Sequence, residues 1–193
     1  MKTKDRILDS AIILFNQQGS GAVSTNHIAE AAGISPGNLY YHYRNKEAII
    51  RDIFERLFAE WDRAFDLPTD QLPTLEDVRS LVRVNFSIMS SYRFIYREIM
   101  ALLRQDDALR ERYFAVRQSG YEGFHQIIAA LSHSGLLRGL EDAQTVQRLA
   151  DLCWLISEFW LPSLEVSGAD ITDEHLQRGV DLMMQVLDPY LSR

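Results

Sequence analysis

Cysteine is almost absent from this chain. The single one, Cys153, excludes an internal disulfide framework and any cysteine-built zinc site. A lone thiol inside an apolar run reads as a small core residue. The five histidines are scattered and form no H-E-x-x-H pair, so neither a metal nor a cofactor is expected. No apolar run approaches the roughly 20 residues of a membrane span. The opening stretch MKTKDRILDSAIILF is interrupted by Asp9, and no small-residue cleavage site follows it. It does not read as a signal peptide, and a cytoplasmic location is expected. Runs of alternating apolar and polar residues, internal repeats and low-complexity tracts are missing too, which argues against a sheet protein or a solenoid.

Lysine is scarce, and all three (Lys2, Lys4, Lys46) lie in the first 46 residues. The formal net charge of −7 would disfavour a polyanionic partner if it were evenly spread. It is not. Residues 1–46 hold five basic groups against three acidic ones, whereas the rest holds fifteen against twenty-four. A mildly positive end on an acidic body can face nucleic acid while the body is kept off it.

The chain contains 193 residues, of which 47% are hydrophobic, enough for one domain or two small ones with a real core. Nearly all of it reads as helix. Ile7, Leu8, Ala11, Leu14 and Phe15 keep the helical period, and Gly19 and Gly21 end that segment. Ser24 or Thr25 can cap a second helix that Gly33 stops. Ser35 can cap a third, with Pro36 at its first position. Asn45 can cap a fourth, residues 46–65. The stretch DLPTDQLPT, residues 66–74, reads as a loop or hinge. Helical patterns resume at 75–91, 92–103, 107–134, 142–164 and 172–191, with Pro162 expected to kink or end the fourth of these. The fold class is therefore all-α: a three-helix N-terminal unit, residues 1–47, followed by a helical bundle, residues 48–193.

Residues 25–44, TNHIAEAAGISPGNLYYHYR, fit a helix-turn-helix. Ala29 sits where two helices cross, and Gly33 supplies the turn's positive φ. Ile28, Ala32, Ile34 and Leu39 face inward, leaving Gly37, Asn38, Tyr40, Tyr41 and His42 on the rest of the short third helix. That face carries hydroxyls for phosphate and ring edges for a thymine methyl, as a helix entering the major groove requires. Gly37 lets the backbone come close. Lys46 adds charge beside amides that favour a phosphate. Tyr43 is the ring of this row that is expected to turn into the core.

Residues 1–50, through the run ILDSAIILFNQQG…STNHIAEAAGISPGNLYYHYRNKEAI, resemble the DNA-binding domain of the TetR family of bacterial transcriptional regulators. The resemblance implies phosphate contacts at Ser24, Thr25, Tyr40, His42 and Lys46. It implies a base-facing set of Asn26, Ser35, Pro36, Gly37, Asn38 and Tyr41. For the remainder it implies a helical ligand-binding and dimerisation domain. The same stretch contains GISPG, which matches the G-x-S-x-G elbow of α/β-hydrolases. That elbow needs a preceding strand, and it needs a backbone N–H after the serine, which Pro36 lacks.

Aromatic residues are dense between Trp61 and Trp160. As a group they suit a bundle that holds a small apolar or aromatic molecule between its helices. Trp61, Phe65, Phe86, Met89, Tyr92, Tyr96, Met100, Tyr121, Phe124 and Trp154 are the candidate lining. Glu158 and His125 are rare polar groups that either orient a ligand or reach solvent. The segment LADLCWLISEFWLP is apolar around most of its circumference and needs a second cover, either another subunit or another part of the chain. Leu152, Ile156, Phe159 and Trp160, with Leu176, Val180, Met183, Met184 and Leu187 of the last helix, form the expected homodimer interface. The expected function is that of a DNA-binding regulator, a repressor released from double-stranded operator DNA by a ligand. Motion of the fourth helix would carry the signal. The alternative is a helical small-molecule carrier.

Overall fold

Side-chain caps open seven of the nine α-helices among the described residues. In the computed structural model, which describes residues 2–65 and 74–192, α1 spans Thr3–Gln18 and ends at Gly19, whose φ of 81° lets the chain turn. Ser24, not Thr25, caps α2 (Thr25–Ala31), its hydroxyl accepting from the His27 amide. Ser35 caps α3 (Pro36–His42), and Asn45 caps α4 (Lys46–Ala64) through the Ala48 amide at 2.9 Å. Thr74 opens α5 (Leu75–Ser91), and Tyr92 separates it from α6 (Arg93–Gln105). Asp106, Asp142 and Thr172 cap α7 (Asp107–His133), α8 (Ala143–Val166) and α9 (Asp173–Leu187). A 3₁₀ turn at Asp188–Tyr190 follows, where Pro189 cannot continue the ladder. Among the described residues the only extended pairing is one antiparallel bridge between Leu137 and Leu191, which ties the α7–α8 connection to the C-terminus. Of the expected hinge, residues 66–74, all but Thr74 lie outside the described residues.

Two departures from expectation have the same cause, packing that outweighs local preference. Of the two outcomes expected at Pro162, a kink or an end, the end does not occur. The eighth helix runs on to Val166, because Leu161 and Leu164 are buried on either side of the proline and Trp160 Nε1 donates to the His175 carbonyl at 2.8 Å. The last helix turns its apolar face inward. Val180, Met183, Met184 and Leu187, expected at a subunit interface, are buried in the chain's own core against α5 and α8.

Two apolar cores result. The first joins α1–α4 to Tyr92, to Phe94, Ile95, Leu102 and Leu103 of α6, and to Leu109 of α7. The second joins α5, α7, α8 and α9. The first core does not stop at residue 47, since Ile49, Ile53, Phe54, Leu57 and Phe58 of α4 belong to it. The fourth helix is thus packed into the N-terminal unit along much of its length.

Candidate nucleic-acid interface

The turn between α2 and α3 is built as the sequence indicates. Gly33 adopts φ 63°, and Ile28, Ala29, Ala32 and Leu39 are buried beneath the two helices. Ser35 Oγ accepts from the Asn38 amide at 3.2 Å, so the serine of GISPG serves as a helix cap, preceded by α2. Above this frame lie the residues expected to meet DNA. Ser24, Asn26, Ser35, Pro36, Gly37, Asn38, Tyr40 and Tyr41 are exposed, and Thr25 and His42 are half-buried. Tyr41 is 85% exposed, with its ring edge-on to His42 at 5.2 Å. No large ring stays so open for internal packing. A Cβ added to Gly37 would meet nothing within 4 Å, and its φ is not in the left-handed region. Nothing inside the chain requires a glycine there. Tyr43 turns inward as expected and donates its hydroxyl to Asp52 at 2.8 Å. Burial, followed by that carboxylate, pushes its pKa far above the usual tyrosine range.

Lys46 is also bound within the chain. Its Nζ donates to the Ser20 carbonyl at 2.6 Å and to the Val23 carbonyl at 3.0 Å. The ammonium therefore fastens the α1–α2 connection to the start of α4 with two of its three N–H groups. Three other contacts were not anticipated. The Arg6 guanidinium donates to the carbonyls of Ala32 and Gly33 and so closes the end of α2. The hydroxyls of Thr25 and Tyr40 meet at 3.0 Å and join α2 to α3. Glu98 of α6 accepts from the Ser20 amide at 2.9 Å and from the Ser20 hydroxyl. Only the basic charge of Arg6 was legible. Which carbonyls lie within its reach is decided by tertiary packing.

The body gathers some of the candidate ligand residues and disperses others. Phe65 and Phe124 line an apolar cavity of about 50 Å³ with Val82, Ile128, Cys153 and Met183, room for little more than a water. Phe86, Met89 and Tyr92 are core residues, and the Tyr92 hydroxyl donates to Glu60 at 2.6 Å. Met100 is 66% exposed, because Ile95, Leu102 and Leu103 occupy the inward face of α6. Tyr121 packs edge-on to His125 and Trp154 at 5.0 and 5.6 Å, with its hydroxyl on Asp151. Glu158 is held by both ends of the Arg117 guanidinium, at 2.8 and 2.7 Å. Trp61 and Tyr96 are half-buried against the first core, and Tyr96 reaches the second as well. On α8, Leu152 and Phe159 remain 50% and 55% exposed, joined by Leu155 and Val166, whereas Ile156 and Trp160, with Leu176 of α9, are half-buried against the second core.

No helix among the described residues is long and apolar enough to cross a membrane. Comparison with known proteins agrees with the geometry. Residues 7–53 match the family described as bacterial regulatory proteins, tetR family, and residues 56–193 match that described as bacterial transcriptional repressor, TetR. A TetR-family transcriptional regulator from Marinobacter aquaeolei VT8 is 34% identical. That match covers 100% of this chain and 92% of the other, with a TM-score of 0.91. The probable HTH-type transcriptional regulator YttP of Bacillus subtilis is 26% identical over 51% of each chain, so the match spans about half that relative's length. The repressor KstR2 of Rhodococcus jostii is 24% identical over 92% of this chain and 89% of its own. These relatives are regulators, not enzymes. With both parts of its length matched and its helix-turn-helix formed as the sequence requires, the chain belongs to the TetR family of bacterial transcriptional regulators.

Proposed function

We propose that the protein is a homodimeric transcriptional repressor of the bacterial cytoplasm that binds operator DNA through α3 and is released by a small apolar or aromatic effector. The observation that carries this reading is the outward face of α3. There an 85% exposed Tyr41, an exposed Asn38 and a glycine with open space before it have no internal role. Such a face supplies donors, a flat ring and close backbone approach to base edges. One short helix offers few contacts, so two copies are needed at half-sites about 34–36 Å apart. The exposed apolar stripe of α8 (Leu152, Leu155, Phe159 and Val166) supports a second subunit as its cover. With two of its three N–H groups on carbonyls, Lys46 is a weaker candidate, and the phosphate contacts fall mainly to Ser24, Thr25, Tyr40, His42 and the exposed Arg44.

Selection from random duplex DNA, followed by anisotropy titration at two salt concentrations, tests the reading. An enriched sequence should bind with strong salt dependence. Asn38→Ala and Tyr41→Ala should each cost about 1–3 kcal/mol and relax specificity. A parent protein that enriches nothing, or variants that bind as the parent does, would remove α3 as the reading helix and leave the carrier alternative.

A further inference from the structure

Directed bonds, and not only apolar contact, hold the end of α1 to α6. The first turn of α6 has no side-chain cap from its own Tyr92. Asn16, in the last turn of α1, takes that place. Its Oδ1 accepts from the Phe94 amide at 3.0 Å, and its Nδ2 donates to the Ser91 carbonyl at 2.8 Å. The return bonds come from α6. The last turn of α1 contains no basic residue, and Arg97 supplies one by donating to the carbonyls of Phe15 and Asn16, both at 3.0 Å. Beside it, Glu98 reaches past Gly19, where an added Cβ would lie 3.2 Å from its carboxylate, to Ser20. Ser20 is only 6% exposed, and each of its polar groups meets a charged side chain. Its amide and hydroxyl donate to Glu98, and its carbonyl accepts from Lys46. Lys46 opens α4 just beyond the end of α3, and its second bond goes to the carbonyl of Val23, next to the Ser24 cap of α2. A chain of bonds thus runs from α6 to both ends of the helix-turn-helix.

We propose that Arg97 and Glu98 are positioning residues which fix the angle of the N-terminal unit on the body and thereby set the half-site spacing that the paired protein accepts. The proposal rests on the paired reading given above. Apolar contact between α1 and α6, with the Phe15 and Phe94 rings 5.1 Å apart, is non-directional and resists separation more than sliding. Hydrogen bonds weaken steeply with angle, and those to a carboxylate or a guanidinium are the stronger kind. The apolar contact therefore keeps the unit close, and the bonds of Arg97 and Glu98 decide how it is turned. DNA makes that angle count. One base pair added between half-sites moves them apart by about 3.4 Å and turns them by about 35° around the duplex. A unit held at one angle cannot follow such a change, whereas a released unit can. Both residues belong to α6, apart from the outward face of α3. The bases within a half-site are then read by the same atoms with or without them.

The test uses duplexes that the full-length parent enriches from a random library. Each is remade with the spacer between half-sites one or two base pairs longer or shorter, and is titrated by anisotropy. The parent should lose about tenfold in affinity for each base pair of change, the order of loss for one mismatched pair. Glu98→Ala and Arg97→Met should each reduce that loss to about threefold, a difference on the scale of one net hydrogen bond. Base preference within a half-site should stay that of the parent. Glu98→Gln keeps an acceptor for the Ser20 amide and should restore most of the spacing preference. A role in folding alone moves a different quantity, since it lowers affinity for every spacer by the same factor. That uniform loss overturns the proposal, as do variants as selective for spacing as the parent or variants with altered base preference. Arg97→Met, which keeps the length of the side chain, carries the test where Glu98→Ala does not fold. The parent separates the two readings. A parent selective for spacing, with equally selective variants, keeps the paired half-sites and removes the positioning role. A parent indifferent to spacing removes both.

Discussion

At the scale of the residue, Gly37 and Lys46 exchange the roles their types imply. A glycine at the second position of a helix weakens it by roughly 0.5–1 kcal/mol relative to alanine. At Gly37 the space for a Cβ is empty and φ is ordinary. Gly37→Ala should therefore raise stability by up to about 1 kcal/mol in urea unfolding while weakening operator binding. If binding is unharmed, close approach of this backbone is not used. Lys46 looks like a phosphate ligand in the sequence because a cation stands at a helix start. Only the fold reveals the carbonyls of Ser20 and Val23 beneath it. Lys46→Met should cost about 1–3 kcal/mol of stability, since two buried acceptors lose a charged donor. The slope of operator affinity against salt should stay that of the parent; a flatter slope would return Lys46 to the phosphates. The caps of α2, α3 and α4 were legible because a serine or asparagine acts on its own neighbours. Arg6, Lys46 and Glu98 were not, because their partners lie far away in sequence.

At the scale of the element, α8 and α9 divide the apolar surface differently from the sequence reading. Periodicity finds the apolar stripe of each helix but cannot tell whether its cover comes from the same chain. Here Met184 is 6% exposed inside the second core, whereas Phe159 stands outside it. Gly179 makes the close approach of the two helices possible. An added Cβ there would lie 2.6 Å from the Phe86 ring and against Trp160. Nothing local announces this, because the helix around Gly179 is regular and only tertiary neighbours crowd it. Substitutions should separate the two surfaces. Phe159→Arg should leave the fold intact and shift sedimentation to the monomer, with operator binding lost as the paired half-sites are lost. Met184→Asp should instead unfold the chain, at a cost on the order of 3–5 kcal/mol for an uncompensated buried charge. If Phe159→Arg remains dimeric, another face makes the dimer.

At the scale of the whole molecule, the acidic body and basic end were legible from composition, but the joining of the two cores was not. Titration at high pH reads that joining. Tyr43, Tyr92, Tyr96 and Tyr113 all have pKa values raised first by burial, with Tyr113 pushed up to about 12. Burial also raises the Cys153 thiol to about 12. Tyr43 and Tyr92 belong to the first core and Cys153 to the second, and Tyr96 touches both. The sign follows from linkage. Each group is an acid whose folded pKa exceeds its unfolded one, so the folded state favours the protonated form. Its stabilising contribution is complete below the unfolded pKa, about 8.5 for a thiol and about 10 for a tyrosine. It declines as pH climbs toward the folded value, because the unfolded chain releases protons that the folded chain keeps. The urea midpoint should thus hold steady up to about pH 8.5, begin to fall there, and fall more steeply above about pH 10. Cys153→Ala should remove the early part of the decline, and Tyr96→Phe should soften the later part. If the cores are one cooperative unit through Tyr96, which packs against both, tyrosine absorbance and helical signal should report a single transition at every pH. Two separated transitions, with Cys153→Ala affecting only one of them, would show that the cores unfold independently.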